Sequence, residues 1–284
     1  MEPPFGEPPA SDSETLSRVE ASGRGAEYFY QWYVYGAEVA WICANIYDPQ
    51  SDLDASGRRN DAIIRGLLTR VVHTMRGVLH LTQDGQMSEV AAQLDRSITE
   101  TSVLAMWLIK SDLVDRFERF LASSLKADLA FEEQVQAKVN AAGSSERIEQ
   151  RILSSIAHYR RESGLTLDEI RSAKKLPDLR TMVELCLPAD WYSIVQTSPS
   201  HITHPSWYDL RRHYLNPDAN GELRPKWCDR SPHPGNYYGP CVLALIATRT
   251  HTDWYHKDAE SRDYLLGRLD DDIESLMAAN AALV

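Results

Sequence analysis

The fold class that the sequence predicts is all-α: a single antiparallel helical bundle with a long Pro-rich loop. Three observations predict it. Apolar residues recur at three- and four-residue spacing through most of the chain. Gly, Ser and Thr sit where those runs would have to start or stop. No run of β-branched residues alternates with polar ones between turn pairs. The chain has 284 residues, 43% hydrophobic and 25% charged. That is enough for one large domain with a sizeable core. No linker interrupts it, so the organisation reads as a disordered tail over 1–12, Pro-rich and acidic, followed by one helical domain over 13–284.

The elements follow in order. Residues 25–47 form an aromatic-rich helix. Its Tyr28, Phe29, Tyr30, Trp32, Tyr33 and Tyr35 point all round the axis, so burial against neighbouring helices is expected. Residues 58–83 carry Ile64, Leu68, Val71, Met75 and Val78 on one stripe, and Asp84-Gly85 ends that helix. Residues 87–110 repeat the pattern. Ser111 suits the N-cap of a long helix over 112–141, which Gly143 would stop. Another helix fits 145–163 before Gly164. Thr166-Leu167-Asp168-Glu169 has capping-box form, in which hydroxyl and carboxylate each satisfy a free N–H. Shorter helices fit 178–187, 189–197 and 206–214, and longer ones 239–256 and 258–281. Between them, 215–238 reads as one irregular loop. Half of the prolines fall between Pro199 and Pro240.

Charge and motif content exclude several functions. The net charge of -11 argues against a broad nucleic-acid surface, which needs basic residues to displace phosphate counterions, but leaves room for a local basic cleft. No apolar stretch is long enough for a membrane span, and the first residues lack the basic-then-apolar order of a secretory signal. Cys43, Cys186, Cys228 and Cys241 are far apart, so reduced thiols in a cytoplasmic protein are expected, with a Cys228–Cys241 disulfide as the minor alternative. Phosphate-binding glycine loops, dinucleotide fingerprints and nucleophile elbows are absent. No cofactor is implied. The acidic run Asp270-Asp271-Asp272 reads as a solvated helix face.

Two segments carry chemistry. Ser198 to Trp207 offers Ser200, His201, His204 and Ser206, with Arg211, Arg212 and His213 just beyond. Histidine transfers protons near neutral pH, and a neighbouring hydroxyl can orient it. The bland alternative is a Pro-kinked, Ser-capped helix junction. On the third helix, Arg96 and Glu100 share a face and can pair. Their neighbours Leu94, Ile98 and Val103–Ile109 suggest that the pair lies near the core, where charges must be matched.

These positions carry a resemblance. R-x-x-x-E on one helix (Arg96, Glu100), then Tyr192 and S-x-x-x-H-P-S (Ser200, His204, Ser206), resemble a bacterial all-helical family of unknown function over roughly residues 58–215. The resemblance implies a bundle in which Arg, Glu, Ser and His converge on one cleft. More distantly, the chain resembles the HEPN helical bundles, many of which are RNA-cleaving toxins or defence effectors that act as homodimers. Those nucleases carry Arg and His five to seven residues apart. Arg151/His158 and Arg249/His256 have that spacing, about as often as chance would place it. Ile152 departs from the polar residue that usually follows the Arg, whereas Thr250 fits.

The resulting expectation is a metal-independent ribonuclease of toxin or phage-defence type, with RNA in a local cleft. His204 is its acid/base, oriented by Ser200, with His201 as alternate. Arg96 binds phosphate and Glu100 holds it. Arg249/His256 is the alternative pair. The competing expectation is a non-catalytic binding or assembly module whose polar cluster is structural. A metal-dependent enzyme is the weakest reading. No Glu-x-x-His pair occurs, although Asp253 with His256, and His73 with His80, could each share a helix face.

Overall fold

The computed structural model describes residues 5–46, 53–84, 87–188, 190–192, 207, 210–225 and 232–283. They are overwhelmingly helical. The helices are α1 (Ser13–Ser22), α2 (Gly25–Asn45), α3 (Ala55–Thr82), α4 (Ser88–Lys110), α5 (Arg116–Ala142), α6 (Arg147–Ser163), α7 (Leu167–Ser172), α8 (Leu179–Cys186), α9 (Pro234–Tyr255) and α10 (Ala259–Leu283). The all-α expectation holds. The only sheet among the described residues is a hairpin, β1 (Leu215–Pro217) antiparallel to β2 (Leu223–Pro225), with Leu215 opposite Pro225. Where one domain is expected, the chain divides into two compact units, Met1–Lys110 with Leu179–Val284, and Ser111–Asp178.

The first unit is organised around α9, which packs against α2, α3, α4 and α10. Its sequence is apolar or small on nearly every face, so it is the central helix. The aromatic helix α2 lies along it. Phe29, Trp32 and Tyr33 are fully buried, as expected. Tyr30 and Tyr33 each meet the Tyr237 ring edge-on at 5.5 Å, a geometry that places positive ring edges on negative faces. The two helices approach closely because Gly36 has no side chain. A Cβ there would lie 2.5 Å from Cys241 Sγ. The Cys241 thiol in turn donates to the Trp32 carbonyl at 3.3 Å. Cys43, Cys186 and Cys241 are free buried thiols, whereas Cys228 lies outside the described residues.

Several boundaries differ from expectation. Helix α9 begins five residues early, because Pro234 occupies its first position, where no N–H is needed, and His233 Nδ1 caps Gly235 N–H at 3.1 Å. The 215–238 loop is therefore, where described, a hairpin and a helix start. Within 206–214, Leu210–Tyr214 forms a π-helical turn. The 189–197 helix lies outside the described residues apart from 190–192. Helix α1 was not anticipated; the Asp12 carboxylate caps it by accepting from Thr15 N–H at 2.9 Å. The expected disordered tail is packed over 5–12. Phe5 is buried edge-on to Tyr35 at 6.4 Å. Ser11 Oγ meets the Tyr28 hydroxyl at 2.7 Å, and Trp32 Nε1 donates to that same hydroxyl. Apolar burial and paired hydroxyls outweigh the segment's polar composition.

The second unit is a small helical cluster. Leu125 and Leu129 of α5 bury against Ile170 of α7, and Arg160 of α6 pairs with Glu132 of α5 at 2.8 Å. Gly143 and Gly164 end α5 and α6 at φ +70° and +72°, a left-handed conformation that suits glycine. The Thr166/Glu169 capping box forms as the sequence requires. Ser111 does not cap α5, which starts at Arg116. Its Oγ instead accepts from Leu113 N–H. No helix among the described residues is long and apolar enough to cross a membrane.

Candidate functional site

The Arg96–Glu100 pair forms on α4, Nε to Oε1 2.7 Å. Both side chains are part-exposed, at 30% and 44%, so the expectation of a pair near the core is corrected. Ile98, two residues from each partner, is fully buried on the opposite side of the helix. Ser200, His201, His204 and Ser206 lie outside the described residues. Tyr192 lies under the Arg180 guanidinium, 5.3 Å from its ring centroid.

Arg249 and His256 share α9 but not a common contact. They are seven residues apart, about 10 Å along the axis. The Arg249 guanidinium is held by Asp270 of α10 through Nε at 2.7 Å and Nη2 at 3.1 Å. That bidentate pair is a strong form of charge-assisted bond. His256 is buried at the C-cap. His158 lies on the surface of α6 beside Glu162. Asp270 stays 44% exposed, whereas Asp272 is removed from the expected solvated face: it is buried and accepts from the Tyr35 hydroxyl at 2.7 Å. Burial nonetheless raises its carboxyl above the usual range, and the Tyr35 bond and Arg268 oppose that rise.

What the fold does assemble is a centre between α3 and α9. Asp61 and Arg65 are one turn apart on α3, with Arg65 Nε 3.0 Å from Asp61 Oδ2. The contact is an ion pair rather than an aligned hydrogen bond, since Nε has no bond of proper geometry. The other Asp61 oxygen meets His251 Nε2 of α9 at 3.3 Å. An ionised carboxylate only accepts, so Nε2–H is the donor in this contact. Nδ1 is sealed without a hydrogen-bond partner. The His251 ring stacks on Tyr255 at 5.4 Å and 13°. The Arg65 guanidinium covers the same tyrosine at 4.7 Å, and an Nη donates to the Ile46 carbonyl at 2.7 Å. His256 meets Tyr255 edge-on. His251 is completely buried, whereas Arg65 keeps 23% of its side chain exposed.

This centre was missed because half of it lies about 190 residues from the other half. The local signal was Asp61 and Arg65 at helical pairing distance. A second buried polar group was missed for the same reason. Tyr33 of α2 and Asp95 of α4 are buried near Asn236 of α9, and burial drives both acids well above their ordinary range. No group of three or more His, Cys, Asp or Glu able to hold a metal occurs among the described residues.

A family model described as a family of unknown function, DUF5677, matches residues 61–223. The chain belongs to this family. The DUF5677 match contains Asp61, Arg65, Arg96 and Glu100, and spans the Ser200–His204 segment; His251 and Arg249 lie beyond it. No curated protein and no solved structure matches the chain.

Proposed function

We propose that this DUF5677 protein is a HEPN-like, metal-independent ribonuclease that binds RNA in a local cleft and cleaves it by histidine acid–base chemistry beside arginine. The observation that carries the reading is the α3–α9 centre. It joins an arginine, a carboxylate and a histidine in one continuous line, with a second histidine packed next to it. Metal-free phosphodiester cleavage needs that combination: imidazole to move the proton and a guanidinium to meet the developing phosphorane charge. Because His251 is sealed, its part is to position Arg65 and Asp61. Proton transfer falls to His204, oriented by Ser200 with His201 as alternate, ahead of the Arg249/His256 alternative, whose histidine is itself buried. Arg96, partly exposed and steered by Glu100, binds phosphate. The toxin or phage-defence role and the homodimer rest on the HEPN resemblance alone, and the cytoplasmic location on the dispersed cysteines.

One observation favours a second reading. His251 has no exposed surface, and Asp270 takes two donors of Arg249. Such groups can simply knit helices together in a binding or assembly module. The test is cleavage of total RNA and tRNA in excess EDTA by wild type, His204→Ala, His256→Ala and His251→Asn, with melting curves for each. Cleavage that one of the first two variants loses without a fall in Tm supports the ribonuclease and names its histidine. Uncleaved RNA with wild type, together with a large drop in Tm for His251→Asn, moves the assignment to the module.

A further inference from the structure

Helix α3 has a charge that the rest of the protein does not share. It holds five arginines and two histidines against one carboxylate, Asp61, in a chain whose net charge is -11. Asp61 is taken up by Arg65. Several of the other cations lie on the surface. Arg58, Arg70, His73, Arg76 and His80 are all exposed, and among the described residues Arg58, Arg70 and Arg76 have no carboxylate within ion-pairing distance. Their contacts are to neutral groups: the Leu53 carbonyl for Arg58, Ser97 Oγ at 3.4 Å for Arg70, and the Trp41 ring at 5.5 Å for Arg76.

The placement makes these cations a track. Arg58 and Arg76 are 18 residues apart, five full helical turns, so they project at the same angle. His73 and His80 lie within about 60° of that line and Arg70 about 120° from it, so the cations occupy one side of the helix. The row is about 27 Å long at 1.5 Å per residue. Aromatic planes are set into it: the exposed His73 ring stacks on Trp41 at 6.2 Å and 22°. A row of unmatched guanidinium groups fits a polyanion. Flat rings interleaved with them fit one whose bases are free to stack, which a lipid surface or a closed duplex does not offer. The one exposed carboxylate that α2 brings nearby is Glu38, three residues before Trp41. It makes no ion pair with the row.

We propose that the exposed face of α3, with Trp41, is a binding track for single-stranded nucleic acid. That the strand is RNA rests on the ribonuclease reading. The track gives that activity its substrate class, an unpaired strand laid along α3 toward Arg65. It also reconciles an acidic protein with a polyanionic substrate, because the basic surface it needs is a local one.

The test is fluorescence anisotropy with a labelled 20-nucleotide 2′-O-methyl oligouridine, which cannot be cleaved through its 2′ oxygen. Binding is read from 25 to 300 mM KCl. The variant Arg58→Gln/Arg70→Gln/Arg76→Gln alters exposed positions only. Its control, Arg147→Gln/Arg151→Gln/Arg161→Gln, changes net charge equally on exposed positions of α6. The wild type and the control bind alike. In the α3 variant the slope of log K against log salt flattens by about two, from three contacts at roughly 0.7 each, and affinity at 50 mM KCl drops at least tenfold with Tm unchanged. Equal losses in both variants, no wild-type binding at 25 mM KCl, or binding to phosphatidylserine vesicles but not the oligonucleotide would each overturn the track. If the strand binds along α3 while total RNA stays intact, the track stands and the ribonuclease reading falls. If RNA is cut but the α3 variant binds as tightly as wild type, the track alone is refuted.

Discussion

Replacing Gly36 by alanine tests the seam on which the whole first unit hangs. The added Cβ would lie 2.5 Å from Cys241 Sγ and 3.8 Å from the nearest Leu245 carbon. The second distance is ordinary contact. The first is more than 1 Å inside it, and the thiol is fully buried with its hydrogen bond to Trp32, so it has little freedom to retreat. Overpacking of this kind costs about 1–3 kcal/mol. The better helix propensity of alanine returns about 1 kcal/mol. Gly36→Ala is therefore expected to destabilise by up to about 2 kcal/mol, a Tm lowered by as much as roughly 4–8 °C for a unit of this size. Gly66→Ala is the control. Nothing lies within 4 Å of its Cβ position, so only the propensity gain remains and Tm should rise by a few degrees. Adding Cys241→Ala to Gly36→Ala removes the clashing sulfur, and the double-mutant cycle should give a favourable coupling of about 1 kcal/mol. Thermal unfolding followed by circular dichroism reads these variants, Cys241→Ala alone and the wild type. Equal stability of Gly36→Ala and Gly66→Ala, or strict additivity in the cycle, would refute the close-approach argument.

Two further outcomes follow from the buried polar groups. Asp95 has a folded-state pKa raised by burial. Its contribution is therefore fully present below the unfolded pKa of about 3.9 and is lost as pH rises toward the folded value, at up to about 1.4 kcal/mol per pH unit. Asp95→Asn removes that titration, so urea unfolding at pH 4.5, 5.5 and 6.5 should show the variant gaining on wild type with each step; a constant difference would contradict a buried neutral acid. Tyr35→Phe deletes the hydroxyl that donates to the buried Asp272. The expected loss is about 1–3 kcal/mol from an undersatisfied carboxylate, and an unchanged denaturation midpoint would show that Arg268 suffices as its partner.

The periodicity of the sequence by itself determined the all-α class and most long helices, since a 3.6-residue apolar stripe is a local property. The Gly143 and Gly164 ends and the Thr166/Glu169 box were legible for the same reason, as was the burial of Tyr28, Phe29, Trp32, Tyr33 and Tyr35. The Arg96–Glu100 pair was legible too, because residues one turn apart must be neighbours. Its exposure was not, because that depends on which side of α4 the other helices cover. Proline misled where its position rather than its presence mattered: Pro234 opens α9 instead of extending a loop. Likewise, Phe5 could not be read as buried without the surface of α2 to receive it. Only tertiary structure could bring Asp61 to His251, Tyr33 to Asp95 or Asp270 to Arg249. These pairs are separated by tens to hundreds of residues, so helix packing, not spacing along the chain, decides them. The Asp270–Asp272 run shows the physical reason most directly. A stretch of three acids favours a solvated face, yet the arginine and tyrosine presented by other helices bind two of them, and a matched carboxylate can be buried where an isolated one cannot.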